Sequence, residues 1–221
     1  MLKGIIFDLD NTLIDSIKMQ RASYASVLAQ YGFVLDEEDS KLIQHIIYWN
    51  EEENWKLIIK EYGFSETLNV LIKKRNDVYI DILLNKPILR PGVLKILNIF
   101  KENNLKMGIA SNSSLENIQL AVKGLKIETY FSCLVSAEFM KPKPSPDVFL
   151  TAAQKLNIDK LEVLAIEDSE LGILAAKTAG MKVIAVPNVI SKITENMSNA
   201  DLVVDSLTDL KWAMVKNIFI K

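Results

Sequence analysis

Six short apolar runs with helix-like stretches between them constrain this chain more than any other feature. They fall at residues 2–9, 105–111, 133–136, 162–167, 182–186 and 201–204. Each is short and apolar throughout, the pattern of a strand buried on both faces. The stretches at residues 92–103, 115–123, 146–156, 171–179 and 207–215 carry helical periodicity. Strand alternating with helix implies an α/β protein built on a parallel sheet.

The rhythm breaks once, from residue 16 to residue 86. Four amphipathic helices are predicted there, near 16–30, 36–48, 51–61 and 66–84, with apolar residues at three- and four-residue spacing such as Val27, Leu28, Tyr31 and Leu68, Leu71, Ile72. Gly32 and Gly63 stand where helices end, and Pro87 and Pro91-Gly92 mark the return to the sheet. The expected organisation is a sheet domain at residues 1–15 and 87–221 with a small α-helical domain inserted at 16–86. A length of 221 residues accommodates both. Nine aromatics lie in the insert: Tyr24, Tyr31, Phe33, Tyr48, Trp49, Trp55, Tyr62, Phe64 and Tyr79. A small bundle needs such side chains for its core. Alternatively Tyr48, Trp49 or Trp55 shapes a substrate pocket. The sequence leaves both open.

The 26 basic residues are outnumbered by 28 acidic ones, so no global positive field recruits nucleic acid or an anionic membrane surface. An anionic substrate must therefore meet local positive charge. The single cysteine, Cys133, cannot form an internal disulfide, which fits a reducing compartment. Because no run of apolar residues is long enough to span a bilayer and the amino terminus runs directly into a strand, neither a membrane span nor a secretory signal is expected, and the location is read as cytoplasmic.

In open parallel sheets, ligands bind beyond the carboxyl ends of the strands. The first strand finishes in Asp8-Leu9-Asp10-Asn11-Thr12, and alternation places both aspartates on one side. Two like charges there are costly without a positive partner. The second strand ends in Ser111-Asn112-Ser113-Ser114, and a later one in Glu167-Asp168-Ser169. Any one of these acids, taken alone, reads equally well as a helix cap. Two acid pairs converging on one edge call instead for a hard divalent cation, and Mg2+ suits best. Lys141-Pro142-Lys143-Pro144-Ser145-Pro146 supplies the missing cation on a stiff segment. Ser145 is expected as the cap of the next helix, with Pro146 in its first position.

These motifs, in this order, resemble the haloacid dehalogenase-like superfamily in its phosphatase majority: Asp8-Leu9-Asp10-Asn11-Thr12, Ser111, Lys143 in KPSPDVF, and Glu167-Asp168. The small residues Gly172, Ala175 and Ala176 resemble the family's helix after its fourth motif, and the insert stands where the family carries its first-type cap. The resemblance implies a Rossmann-like core with a helical cap. It implies Asp8 as nucleophile and Asp10 as general acid and base, acting through an aspartyl-phosphate. It gives the metal site to Asp8, the backbone carbonyl of Asp10, Asp168 and Glu167. Phosphate binding falls to Ser111, Lys143 and the backbone near Asn112, with Thr12 orienting the loop. Asn11 stands where the family most often has glycine; asparagine tolerates left-handed backbone well.

The resemblance thus implies a magnesium-dependent phosphatase acting on a small phosphorylated metabolite, as a monomer or homodimer. Asp10 argues against a dehalogenase, which lacks this second acid. A phosphomutase of the β-phosphoglucomutase type uses the same core residues but carries a histidine early in its cap, where this chain has Gln20. Phosphonate hydrolysis would need a cap lysine forming a Schiff base, with Lys56 and Lys60 as candidates, and a non-catalytic binding protein is the remaining alternative. His45 and Cys133 read as structural.

Overall fold

The computed structural model describes residues 1–35, 51–188, 191 and 197–220. Two compact units divide the chain: Met1–Asp15 with Leu89–Lys221, and Ser16–Ile88.

The first unit is built on six parallel strands: β1 (Gly4–Phe7), β2 (Lys106–Ser111), β3 (Cys133–Ser136), β4 (Val163–Glu167), β5 (Lys182–Ala185) and β6 (Leu202–Val203). Their order in the sheet is β3-β2-β1-β4-β5-β6. This is the doubly wound α/β order of the Rossmann-like fold expected from the sequence, and its direction reverses between β1 and β4. In register, Ile5 lies between Met107 and Leu164, and Phe7 between Ile109 and Ile166. Strand β1 is therefore central, which explains why all four of its residues are buried.

The unit's helices within residues 89–188 are α4 (Val93–Glu102), α5 (Leu115–Gly124), α6 (Asp147–Leu156) and α7 (Glu170–Thr178). Helix α6 packs on β1, β2 and β3, whereas α7 packs on β4 and β5. Ile6, Ala110, Val148, Phe149, Ala152, Ala165 and Ile173 share one buried cluster between them. Lys177 and Lys182 both bond Asp201 at 2.8 Å, tying α7 and β5 to the turn before β6.

Two helix boundaries differ from expectation. Helix α6 begins at Asp147, with Pro146 at its cap and no side-chain capping bond, so Ser145 does not cap it. The last helix of this unit, α8, spans Trp212–Asn217 rather than 207–215. Leu207 and Leu210 are buried from an irregular turn instead, so their spacing reflects burial rather than helix.

In the second unit, α1 (Ser16–Ala29), α2 (Glu51–Tyr62) and α3 (Leu68–Asn85) bury Tyr24, Val27, Leu28, Trp55, Ile58 and Leu71 against one another. Gly32 (φ 81°) and Gly63 (φ 72°) follow α1 and α2 in left-handed backbone, as expected of residues past helix ends. Trp55 is fully buried 5.2 Å from the Tyr24 ring, which settles it as a core residue. Arg75 lies between the Tyr24 and Tyr79 rings and 3.8 Å from Glu51. Lys56 and Lys60 are exposed, and Lys56 pairs with Glu52 and Glu53, so neither is a desolvated amine suited to Schiff-base chemistry. The helix expected at 36–48, with His45, Tyr48 and Trp49, lies outside the described residues.

Candidate active site

At the carboxyl ends of β1 and β4, where the sheet order reverses, three buried acids converge. Asp8, Glu167 and Asp168 each present a carboxylate oxygen within 4.8 Å of the others. Lys143 reaches them from the segment before α6. Its Nζ donates to Asp8 Oδ1 at 2.6 Å and to Glu167 Oε1 at 2.7 Å, with the Phe149 ring beneath it at 5.0 Å. Lys143 is buried, whereas Lys141 is exposed, which separates the two lysines of the motif.

Glu167 is fully buried and uses both oxygens. While Oε1 takes Lys143, Oε2 accepts from the Asp168 and Ser169 backbone N–H groups and from the Ser169 hydroxyl, at 2.9, 3.0 and 3.0 Å. Ser169 is also the N-cap of α7, accepting from the Gly172 N–H. A Cβ on Gly172 would stand 1.8 Å from Glu167 Oε1, so the absence of a side chain there lets α7 approach the buried carboxylate.

Asp168 is held by neutral groups. Asn188 Nδ2 donates to its Oδ2 at 2.6 Å, and the Thr12 hydroxyl lies 3.5 Å from Oδ1. Asp10 Oδ2 accepts from Ser113 Oγ at 2.5 Å and more distantly from Ser111 Oγ at 3.4 Å. Asn112 is exposed, and its side chain accepts from the Lys143 backbone N–H at 3.0 Å, joining the loop after β2 to the lysine segment. Asn11 adopts φ 56°, the left-handed backbone expected of it. Its carbonyl accepts from Arg90, whose backbone N–H donates in turn to the Leu13 carbonyl.

Asp8, Asp10, Ser111, Lys143, Glu167 and Asp168 thus meet at one edge, whereas Thr12 and Asn112 touch their neighbours in the site. Ser113, Asn188 and Arg90 belong to the same network; Ser113 and Asn188 carry no signal in the sequence beyond following a strand, and Arg90, in the connection between two helices, carries none. Cys133 is half-buried, 3.7 Å from the Ala152 carbonyl, and burial raises its thiol pKa.

Burial pushes Asp8 up to about 8; Lys143 opposes the rise, while the charges of Glu167 and Asp10 add to it. Asp168 is raised well above the carboxylate range by burial and by Glu167 and Asp8. For Lys143, burial disfavours the charge, but Asp8 and Glu167 outweigh it and raise the pKa. One lysine under-neutralises this cluster, which is the condition a hard divalent cation relieves. With both Glu167 oxygens engaged, Asp8 and Asp168 are the carboxylates best suited to hold it.

Sheet order and a cluster of buried carboxylates at the point of reversal define an α/β protein with a candidate site at that sheet edge. The chain belongs to the haloacid dehalogenase-like hydrolase family, whose model matches residues 5–186. It is 32% identical to the bifunctional riboflavin kinase/FMN phosphatase of Arabidopsis thaliana over 95% of this chain, and it spans 55% of that protein's length. It is 31% identical to the β-phosphoglucomutase of Bacillus subtilis (strain 168), covering 95% of this chain and 92% of the relative. It is 29% identical to the fructose-1-phosphate phosphatase of Escherichia coli (strain K12), covering 83% and 95% respectively. No helix among the described residues is long and apolar enough to cross a membrane.

Proposed function

We propose that this chain is a magnesium-dependent phosphatase that hydrolyses a small phosphorylated metabolite in the cytoplasm, through a phosphoaspartate at Asp8. The observation that carries the reading is the buried Asp8 carboxylate held by Lys143 at 2.6 Å beside Asp168. Asp8 attacks phosphorus and the ester P–O bond breaks, while Asp10 gives its proton to the departing alkoxide. Asp10 then takes a proton from water, whose oxygen attacks phosphorus and frees Asp8 and inorganic phosphate. Lys143 and Ser111 hold phosphate oxygens through both steps, with Lys143 fixed by Glu167. Asp8, Asp168 and the Asp10 backbone carbonyl would hold the magnesium ion, and Glu167 supports them. When bound, that ion supplies charge neutralisation for the phosphoryl oxygens.

The test is phosphate release from a panel of phosphorylated metabolites with magnesium, repeated in chelator. Release that disappears in chelator and returns with magnesium supports the reading. Full activity in chelator removes the metal from it, and no turnover of any ester favours a binding protein.

A phosphomutase is the second reading, favoured by the 31% identity to a β-phosphoglucomutase. A mutase must shield its phosphoaspartate from water until a sugar hydroxyl arrives. Gln20 has no titratable proton with which to take part in that control. Supplied with a hexose 1-phosphate and its bisphosphate, the protein should release phosphate faster than it forms the 6-phosphate. The reverse ranking would establish the mutase.

A further inference from the structure

Asp168 differs from the other buried acids of the cluster in what holds it. Asp8 and Glu167 both bond the Lys143 ammonium, whereas no lysine or arginine among the described residues lies within ion-pair distance of Asp168. Its shortest bond is the 2.6 Å donation from Asn188 Nδ2, out of the loop that follows β5. That loop starts beside the site, because the Val186 N–H donates to the Glu167 carbonyl at 2.7 Å.

The amide of Asn188 has its orientation fixed by a second contact. Asn188 Oδ1 accepts from the Ser191 backbone N–H at 2.9 Å, and Ser191 Oγ accepts from the Asn188 backbone N–H at 2.9 Å. Ser191 is almost fully buried. With Oδ1 engaged in this reciprocal turn, the opposite end of the amide, Nδ2, must face Asp168. A neutral donor fixes a carboxylate without cancelling its charge. A lysine at the same point would compete with any cation that Asp168 is to hold.

We infer that Asn188 is a positioning residue: it fixes one oxygen of Asp168 so that the other stays oriented for a divalent cation, and Ser191 holds Asn188 in place. The inference rests on the magnesium-dependent reading above and assigns a residue outside the motifs that suggested it. Partners of this kind, one bond behind a metal-holding group, typically change metal affinity by about 10–100-fold when removed.

Calorimetric titration of chelator-stripped protein with magnesium tests the inference without reference to turnover. Asn188→Ala should weaken magnesium binding by about 10–100-fold while the thermal midpoint in chelator stays close to that of the parent. The activity lost at low magnesium should return as magnesium is raised. Ser191→Ala, which removes the acceptor of the Asn188 backbone N–H but keeps the backbone N–H that bonds Asn188 Oδ1, loosens the turn and should weaken binding in the same direction and by less. Binding by both variants equal to that of the parent overturns the inference and leaves the phosphatase reading intact. A parent that takes up no magnesium overturns the metal reading, and the inference falls with it.

Discussion

In the proposed mechanism most of the chemistry turns on Asp8 and Lys143, and in the structure each restricts the other. The ammonium keeps the buried carboxylate within one hydrogen bond of a positive charge, and the carboxylate makes burial of the ammonium tolerable. Asp8→Asn removes the attacking oxygen while preserving shape, so turnover should fall to background with little change in thermal midpoint. Activity within tenfold of the parent would dismiss Asp8 as nucleophile. Lys143→Ala should cost about 2–4 kcal/mol of transition-state stabilisation, read as kcat/KM, similar to losing one preorganised donor. Lys141→Ala should be mild, because that side chain is exposed. Were the two effects reversed, the lysine bound to Asp8 and Glu167 would not be the one that holds phosphate.

Among the elements, the junction of β4 and α7 is the most tightly determined. Glu167 closes β4, Ser169 caps α7, and Gly172 brings the first turn of the helix against the Glu167 carboxylate. Two effects compete in Gly172→Ala. Alanine favours helix over glycine by about 1 kcal/mol. Against this, its Cβ would meet a fully buried carboxylate at 1.8 Å, and overpacking costs typically about 1–3 kcal/mol. The collision should win, because displacing Glu167 also disturbs Lys143. We expect a lower denaturation midpoint together with a large loss of kcat; an unchanged midpoint would mean that the helix shifts freely. The small residues of this helix were legible in the sequence through their likeness to the family's helix after its fourth motif. The group approached was not, because the β4–α7 turn decides which way Glu167 points.

For the molecule as a whole, the clustered acids link stability to pH and, on the proposed magnesium-dependent reading, to metal. Without metal, Asp8 with a pKa of about 8, and Asp168, also raised, keep protons that the unfolded chain releases near the ordinary carboxylate value of about 3.9. Such groups support the fold fully below the unfolded pKa and lose that contribution as pH rises toward the folded one. The thermal midpoint in chelator should therefore fall between about pH 5 and about pH 8, and added magnesium should raise it more at the upper end. A metal-induced rise that is the same at both pH values would contradict this linkage. The α/β class and the parallel sheet were determined by the sequence alone, because strand and helix periods are local properties of consecutive residues. The same local reading located the acids at strand ends, where a doubly wound sheet opens its site. It misplaced the start of α8, because burial of Leu207 and Leu210 in a turn mimics helical spacing. The resemblance had already picked Lys143 over Lys141, but only the tertiary structure buried it against Asp8 and Glu167, brought Ser113 to Asp10 and Asn188 to Asp168, and sank Trp55 into a core. Those outcomes depend on contacts between distant parts of the chain, such as the 135 residues separating Lys143 from Asp8, and no local pattern encodes them.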